Sequence, residues 1–531
     1  MTTQQRWTLL AAVLGSSIVF LDGTIVNVAL PRLGQELPAT IVSQLEGQTS
    51  VVSGYLAVLA ALLVLAGALA DFHGRRRIFA IGLVGFGVSS LLCGLAPTLD
   101  LLVLFRVLQG ATGALLVPGS LSIITATFEG EARGRAFGIW AAATSATTAL
   151  GPVVGGILVD EVSWRSAFLI NIPLVAIGLF ATIRHMPESR DDEASGHFDW
   201  LGAVVAVVAV GGLAFGAIRG QDREWQDPIA FVALGLGAAA LVAFPILMTR
   251  RRHPLVPLRL FRSRGFTVIN LSTLLIYGAL YVVLSFQAIF LQGTLGYTPL
   301  ASGLANLPVS ILLTLLSTRV GTLAARVGAR AFLVVGPVLM AAAQLWLARI
   351  PATSEAWAAR MDAASLIPPP DAIIDVILPM TVFGVGIALV VAPLTATLMG
   401  SIPVRNAGLG SAINNAVSRV GTPIVSAIIF IAVSGSFYST LADRIPGLDP
   451  SSADVRQQVQ PLNTPRGDVS AEMATAVREA STDAYHVSAF VAAGLLLGGA
   501  AVNLLGLTPS DGRSRRDDEP ATEPATDPAG P

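Results

Sequence analysis

Long apolar runs alternate with short polar loops over most of this chain. A helix needs about 20 residues to cross the hydrocarbon core of a bilayer, and fourteen runs have about that length. Because this core offers the backbone no hydrogen-bond partners, we expect each run to be a helix and not a strand. The runs are residues 8–30, 50–70, 78–97, 100–126, 134–159, 166–184, 200–218, 228–249, 266–292, 301–325, 331–350, 372–399, 408–435 and 485–507.

A hairpin of two apolar runs joined by a basic loop occurs twice. Residues 67–77 (GALADFHGRRR) end one run and lead into the next, and residues 321–330 (GTLAARVGAR) do the same 254 residues later. The first copy carries Asp71, whereas the second has Ala325 at that position. The repeat predicts an all-α integral membrane protein whose first six and last six runs are homologous halves, with the seventh and eighth runs inserted between them. Parallel repeats are common in transporters, so the pattern favours a carrier over an enzyme.

The chain is expected to divide into four parts. They are an N-terminal six-helix half (1–190), the inserted helices with their connection (191–262), a C-terminal six-helix half (263–509) and a cytoplasmic tail (510–531). Residues 436–484 form a polar extracytoplasmic loop, with a short amphipathic helix expected near 469–481, and 351–371 form a smaller one. The tail is acidic and rich in Pro, Ala and Thr, which is typical of disordered segments.

Composition and charge support a membrane location and predict an orientation. The chain is 53% hydrophobic and 13% charged, whereas a soluble protein has about 25% charged residues. All 33 cationic residues are Arg, and the predicted loops place 20 of them on one side of the membrane and 10 on the other. The positive-inside rule then places both termini in the cytoplasm, as an even number of helices requires. We expect a multi-pass protein of the cell membrane.

Several function classes are excluded by what the sequence lacks. Without Lys there is no GxxxxGK[ST] phosphate loop, so this chain by itself is not expected to use ATP. The single Cys93 allows no intramolecular disulfide. The five His residues show no metal-ligand spacing, and no catalytic constellation is visible. We therefore expect no metal, no cofactor, no nucleic-acid partner and no enzymatic activity.

Five motifs in the first half follow one another in a recognisable order. They are residues 21–31 (LDGTIVNVALP), 67–77, 106–110 (RVLQG), 151–156 (GPVVGG) and 164–173 (WRSAFLINIP). Together they resemble the motifs of the fourteen-helix drug:proton antiporter family of the major facilitator superfamily. Three positions depart from that pattern, since Phe72 replaces the usual Arg, His73 is unusual, and Thr147 stands where Gly is common.

The resemblance implies that Asp22 and Arg106 couple transport to protons. Asp22 lies near the middle of the first run, where a carboxylate costs on the order of 2.5–3.5 kcal/mol, and a carboxylate at such a depth can take up and release a proton. Alternatively, Asp22 is a static cap or hydrogen-bonds to Thr24 or Asn27. For Arg106, the alternative is a brace held by backbone carbonyls.

Two further motifs have implied roles in opening and closing the carrier. In the gate motif (Gly67, Asp71, Gly74 and Arg75), Asp71 is expected to accept hydrogen bonds from the N-terminus of the eleventh helix or from a nearby Arg. In the antiporter motif (Gly151, Pro152, Gly155 and Gly156), the glycines permit a bend and close packing that seals one conformation. The alternatives are topology anchoring for the first motif and ordinary helix packing for the second. Arg319 and Arg419 lie within runs, each near a predicted helix end, and snorkelling to the interface explains both at least as well as a functional role does.

Polar and aromatic residues within the runs are candidates for a cargo cavity. They are Asn27, Gln109, Trp140, Asn171, Tyr277, Tyr281, Gln287, Asn306, Asn414 and Asn415. The resulting hypothesis is a monomeric exporter that moves amphipathic, often cationic small molecules outward in exchange for protons by alternating access. Two alternatives remain open. One is an exporter of a dedicated cargo such as a lipid, a siderophore or a self-made antibiotic, and the other is a non-transporting scaffold that uses the 436–484 loop.

Overall fold

Seventeen α-helices and short π- or 3₁₀-helical segments make up the regular structure of the described chain. The computed structural model describes residues 1–38, 44–190, 198–222, 226–360, 362, 364–450, 452–465 and 468–508. The helices are α1 (Thr3–Glu36), α2 (Gln44–His73), α3 (Arg75–Gly94), α4 (Leu99–Gly113), α5 (Leu116–Thr127), α6 (Gly130–Glu161), α7 (Ser166–Leu169), α8 (Asn171–His185), α9 (Trp200–Asp222), α10 (Pro228–Arg250), α11 (Arg264–Ile289), α12 (Pro299–Val327), α13 (Arg330–Leu347), α14 (Leu378–Gly400), α15 (Ala407–Arg444), α16 (Ala453–Gln458) and α17 (Ala471–Gly506). The predicted disordered tail lies outside the described residues.

Twelve helical segments of the described chain are long and apolar enough to cross a membrane. Two of them are interrupted, because α4 and α5 together form the segment Leu99–Thr127, and α7 and α8 form Ser166–His185. Two further long helices, α6 and α11, coincide with the predicted runs 134–159 and 266–292 but are not among the twelve. The all-helical membrane architecture is confirmed, and the count of fourteen stays a prediction.

Several helix ends differ from the hydropathy-based boundaries. Helix α15 continues to Arg444, well beyond the predicted end at 435. The amphipathic helix expected near 469–481 is the first part of α17, which starts behind the Ser470 N-cap and continues into the membrane span. The predicted end at 435 was wrong, and the helix near 469–481 is present but continuous with the span, for the same reason: hydropathy marks where apolar character ends, whereas a helix continues into polar sequence until a cap or a breaker stops it.

The helices pack as two groups that meet along two seams. The first seam joins α2 to α15, and the second joins α6 to α12. We refer to them below as the α2–α15 seam and the α6–α12 seam. Helices α9 and α10, which correspond to the two runs predicted to be inserted, pack on each other, and α9 also contacts both helices of the α2–α15 seam. Large apolar side chains such as Phe180, Leu315 and Leu505 remain exposed on the outside of the bundle, as expected of a surface that faces lipid.

The predicted loop 351–371 is packed against the ends of its neighbouring helices. Trp357 is buried, and its indole N–H donates to the carbonyl of Ser365 at 2.9 Å. Ser354 donates its hydroxyl to Asp375, at the start of the segment that leads into α14, at 2.8 Å. These contacts fix the loop on the face opposite the basic hairpins.

Candidate functional site

Asp22 lies at the centre of a buried polar network. Its side chain is fully shielded from solvent, and both of its oxygens accept hydrogen bonds. Arg106 donates Nη1 to Oδ2 at 2.5 Å, while Gln109 and Asn171 donate their amide nitrogens to Oδ1 at 3.0 and 3.2 Å. The structure therefore brings together four residues that the sequence had singled out. The network joins α1, α4 and α8 within the first half of the chain.

A second layer of contacts holds these residues in position. The hydroxyl oxygen of Ser90, on α3, accepts from Gln109 at 3.1 Å and from Asn171 at 2.9 Å, and Ser90 donates to the carbonyl of Phe168 at 2.9 Å. Ser90 is thus a shared support for the two amides that contact Asp22. The break between α7 and α8 makes Asn171 the first residue of α8.

Arg106 is held from several directions at once. Besides Asp22, it donates Nη1 to Gln109 Oε1 at 2.7 Å and Nε to the carbonyl of Val51 at 3.0 Å. Its guanidinium also lies 4.0 Å from the centroid of the Tyr55 ring. The alternative of an arginine held only by backbone carbonyls therefore accounts for one of these contacts and not for the others.

The local alternative for Asp22 finds no support in the described side chains. Thr24 donates its hydroxyl back to the carbonyls of Leu21 and Phe20, at 2.9 and 3.2 Å, and not to Asp22. The side chain of Asn27 lies outside the described residues. A buried carboxylate that accepts from three side chains on two other helices is a long-range ion-pair network, which is a different arrangement from a helix cap.

The other cavity candidates do not converge on one site. Trp140 donates to Ser16 at 2.9 Å, and Asn414 bridges to Thr273 on α11 at 2.8 Å. Asn306 and Asn415 hydrogen-bond within their own helices. Gln287 is buried, and neither polar atom of its side chain has a hydrogen-bond partner in the described structure. Tyr277 is half-buried on α11, and the side chain of Tyr281 lies outside the described residues.

Asp71 fastens the α2–α15 seam at one end. Its carboxylate accepts the backbone N–H of Leu409 at 2.8 Å and that of Gly408 at 3.1 Å. Arg75 donates to the same carboxylate at 2.9 and 3.0 Å and to the carbonyl of Val404 at 2.6 Å. Of the two expected partners, a nearby Arg is found in Arg75, whereas the N-terminus of the eleventh run (331–350) was wrong. The acid binds the N-terminus of α15, the thirteenth run, because that helix lies against α2.

Close glycine contacts line both seams. A Cβ atom at Gly67 would collide with Gly408 and Ala412 on α15, and one at Gly134 would come within 2.8 Å of the carbonyl oxygen of Gly321 on α12. The hairpin copy that lacks the acid thus makes an equivalent backbone approach. Ala325, at the position of Asp71, lies beside Gly134.

The α6–α12 seam carries its ion pair at the surface. Arg326 donates to Glu131 at 2.7 Å, and both side chains are more than half exposed. The arginine at this pair holds the pKa of Glu131 below its ordinary value through a hydrogen bond. Beside them is a cavity of about 460 Å³ that is also lined by Arg135 and Arg319. The two seams therefore close by different polar contacts.

The remaining motif positions have individual surroundings. Gly151 and Gly155 lie against Thr24 and Ile25 of α1, where a side chain would collide or crowd, whereas a Cβ at Gly156 would meet nothing within 4 Å. The helix α6 is continuous through this motif, and the side chain of Pro152 lies outside the described residues. Gly74 is the N-cap residue of α3 and has a φ of 106°, a conformation that favours glycine.

Two of the three departures from the family motif, Phe72 and His73, have a structural explanation. Phe72 packs edge-on against Phe198 with ring centroids 5.5 Å apart, and His73 lies 6.1 Å from the same ring. Phe198 lies two residues before the start of α9. The two unusual residues of the hairpin therefore contact the segment that leads into α9, the first helix of the pair that was predicted to be inserted.

A family model described as Major Facilitator Superfamily matches residues 12–426. This chain belongs to the major facilitator superfamily. The resemblance on which the motifs were interpreted is thus confirmed. Members of this superfamily are transporters and not enzymes, and they generally need no cofactor.

Named members of the superfamily match most of the chain. The multidrug resistance protein Stp of Mycobacterium tuberculosis is 33% identical over 442 residues, which are 83% of this chain and 78% of Stp. The tetracenomycin C resistance and export protein of Streptomyces glaucescens is 30% identical over 452 residues, which are 84% of this chain and 80% of that protein. The solved structure of the proton:xylose symporter XylE superposes on this chain with a TM-score of 0.59 and 14% sequence identity. The match covers 96% of this chain and 98% of XylE, and at this identity it shows the fold alone.

Three residues of the site were missed by the sequence interpretation. Ser90 and Tyr55 contact the Asp22 network, and Glu188 accepts the backbone N–H groups of Arg76 and Arg77 at 3.0 and 3.2 Å. A serine and a tyrosine within apolar runs gave the only sequence signal for the first two. Glu188 lies more than a hundred residues from the helix that it caps, and nothing in its local sequence indicates this contact.

Proposed function

We propose that this superfamily member is a secondary exporter that moves amphipathic small molecules out of the cell in exchange for protons. The observation that carries the proposal is the fully buried pair of Asp22 and Arg106. Ionisable residues inside membrane segments are costly and are characteristic of proton and substrate pathways. Relatives named for multidrug resistance and for antibiotic resistance and export support the choice of drugs as cargo.

The network can hold Asp22 in both protonation states. The ionised carboxylate is stabilised by Arg106 and two amides. The protonated acid needs an acceptor for its new O–H group, and the amide oxygen of Asn171 is buried without a hydrogen-bond partner in the described structure. A rotation of this amide would present that oxygen to Asp22. Arg106 would meanwhile keep its hydrogen bond to the Val51 carbonyl and its contact with the face of the Tyr55 ring.

Alternating access would follow from opening and closing the two seams. The distribution of arginines supports placing the Asp71 end, together with both chain termini, in the cytoplasm. In the present arrangement the Asp71 contacts and the paired glycines would seal this side. Opening it would require the loss of the hydrogen bonds from Gly408 and Leu409 to Asp71.

The proposal also specifies the location, the domain division and the energy source of the carrier. The protein would lie in the lipid bilayer of the cell membrane as a monomer, with halves at 1–190 and 263–509 and the inserted helices at 191–262. It would use the proton-motive force and no cofactor. One proton that enters across 100 mV supplies about 2.3 kcal/mol.

A dedicated cargo is the second candidate function. It is favoured by the tetracenomycin C resistance and export protein, whose name specifies a single compound. A non-transporting scaffold is not favoured, because it would not need the Asp22 network.

Efflux from proteoliposomes with an imposed pH gradient tests the proposal. We expect the wild type to move ethidium when the gradient is applied, and Asp22→Asn to lose this movement while remaining monodisperse in detergent. Asp199→Asn is the matched control, because Asp199 is buried and paired with Arg251 at the inserted helices, away from the network. Efflux by Asp22→Asn that still responds to the gradient and to a protonophore would contradict the assignment of Asp22.

A further inference from the structure

Arg419 does not lie near a helix end, contrary to the sequence-based expectation of snorkelling. It lies in α15, which extends from Ala407 to Arg444, and is therefore roughly three turns from the nearer end. Its side chain is half-buried. Three turns of helix span about 16 Å, which is about half the thickness of a bilayer core. The guanidinium is thus placed at membrane depth, where a long side chain does not reach either interface easily.

The face of α15 that carries Arg419 is directed toward the first half of the protein. Residues 408, 412, 415, 419 and 422 are spaced by three and four and share one side of the helix. The first two of them pack against Gly67 of α2. About two turns further toward the C-terminus of α15, on the same face, the Arg419 guanidinium lies 5.9 Å from the centroid of the Phe20 ring on α1. Arg419 is therefore located between the halves, directly beyond the closed part of the α2–α15 seam.

Within the described structure, the guanidinium of Arg419 has neither a hydrogen bond nor an ion pair, and it lies over the Phe20 ring. Asp22, two residues along α1 from Phe20, already accepts from Arg106, Gln109 and Asn171. The side chains of Asn415 and Thr422, one turn away on the same face, hydrogen-bond within α15. The protein thus leaves an unneutralised cation between its halves.

The charges around Arg419 are predominantly positive. Arg419 is close enough to Tyr55 to act on it electrostatically, as are Asp22 and Arg106. Because Asp22 is neutralised by Arg106, the local surplus is one positive charge. An unpaired charge at membrane depth is costly, so a group that arrives with the opposite charge would be stabilised there.

We propose that Arg419 binds an anionic group, such as a carboxylate or a sulfonate, on the amphipathic cargo. This proposal rests on the proposed export function and specifies its cargo. A guanidinium binds such planar or multi-oxygen anions through two hydrogen bonds, and the Phe20 ring beside it offers an apolar surface to the rest of the molecule. The carrier would then accept amphipathic molecules with an anionic group in addition to the cationic ones that the family resemblance implied.

Two matched dyes test the assignment. The probes are 8-anilinonaphthalene-1-sulfonate, which is a permanent anion, and N-phenyl-1-naphthylamine, which has the same aromatic frame without the sulfonate. Binding to purified protein is measured by fluorescence titration, and efflux is measured in proteoliposomes with a pH gradient. The variants are Arg419→Gln, the charge-conserving Arg419→Lys, and Arg349→Gln, which removes an exposed arginine at the end of α13.

We expect Arg419→Gln to raise the dissociation constant of the sulfonate at least about tenfold and to leave that of the neutral dye within twofold. Arg419→Lys should restore most of the loss, and Arg349→Gln should change neither dye. Equal sulfonate binding by the wild type and Arg419→Gln would overturn the proposal. So would an equal loss of both dyes, because Arg419 would then act in the conformational cycle and not on the anion. If the wild type binds the sulfonate through Arg419 but moves no dye, the export function fails and the binding site stands.

Discussion

The carboxylate of Asp71 on α2 accepts the backbone N–H of Leu409 on α15 at 2.8 Å, although the two residues are 338 positions apart. This bond and its neighbour from Gly408 join the two halves at the positive end of the α15 dipole. The contact is buried and charge-assisted, so it is the polar interaction most capable of holding the α2–α15 seam closed.

Removing the charge of Asp71 should favour opening of this seam. For Asp71→Asn we expect the closed arrangement to lose about 2 kcal/mol, or about thirtyfold in the closed-to-open ratio, since hydrogen bonds to charged groups are worth about 1.5–3 kcal/mol. Distances between spin labels at the exposed residues Arg77 and Val327, on opposite halves, should lengthen. Glu131→Gln is the comparison, and its exposed ion pair should contribute little. Equal shifts for the two variants would contradict the difference between the seams.

A single methyl group should keep the same seam from closing. In Gly67→Ala the added Cβ meets Gly408 and Ala412, and overpacking of this kind costs about 1–3 kcal/mol. We expect transport to fall about tenfold or more, with normal insertion into the membrane. Gly156→Ala is the control, because nothing lies within 4 Å of its added Cβ. Unchanged initial rates of efflux in Gly67→Ala would show that the glycine approach is not required.

Lysine should not substitute for Arg106. The arginine simultaneously contacts Asp22, Gln109, the Val51 carbonyl and the face of Tyr55, whereas an ammonium group concentrates its charge at one point and cannot reproduce the planar fork. For Arg106→Lys we expect proton-driven efflux to fall by more than about tenfold. Proton uptake measured in weakly buffered detergent should change together with efflux. Wild-type coupling in this variant would mean that charge alone suffices.

Restoring the family residue at position 72 should destabilise this protein. Phe72→Arg removes the edge-on contact with Phe198, and aromatic pairs contribute about 0.5–1.5 kcal/mol beyond their buried area. We expect a lower unfolding temperature in detergent and faster proteolysis between α8 and α9. His73→Arg is the control, since His73 is exposed and farther from the same ring. A rise in stability would indicate that the family residue finds its own partner here.

The sequence predicted those parts of the site that are expensive to place in a membrane. Asp22, Arg106, Gln109 and Asn171 are polar residues in apolar runs, and that cost made each of them visible before the structure joined them. Ser90 escaped notice because a serine can satisfy its hydroxyl within its own helix. For Asp71, the contact with a nearby Arg and with a helix N-terminus was predicted, but the wrong helix was named, because the sequence of one helix does not state which helix of the other half lies against it.

Helix α9 gives the two seams unequal access to the lipid. It packs against both α2 and α15, so a hydrophobic molecule dissolved in the bilayer meets α9 before it can reach that seam. In the described structure neither α9 nor α10 packs extensively on the α6–α12 seam, beside which Arg135 and Arg319 line an open cavity. For a carrier whose Asp71 end faces the cytoplasm, as proposed above, a molecule dissolved in the bilayer would then reach the α6–α12 seam more directly than the α2–α15 seam. The guanidinium groups of Arg135 and Arg319 beside that seam would attract molecules with a negative end.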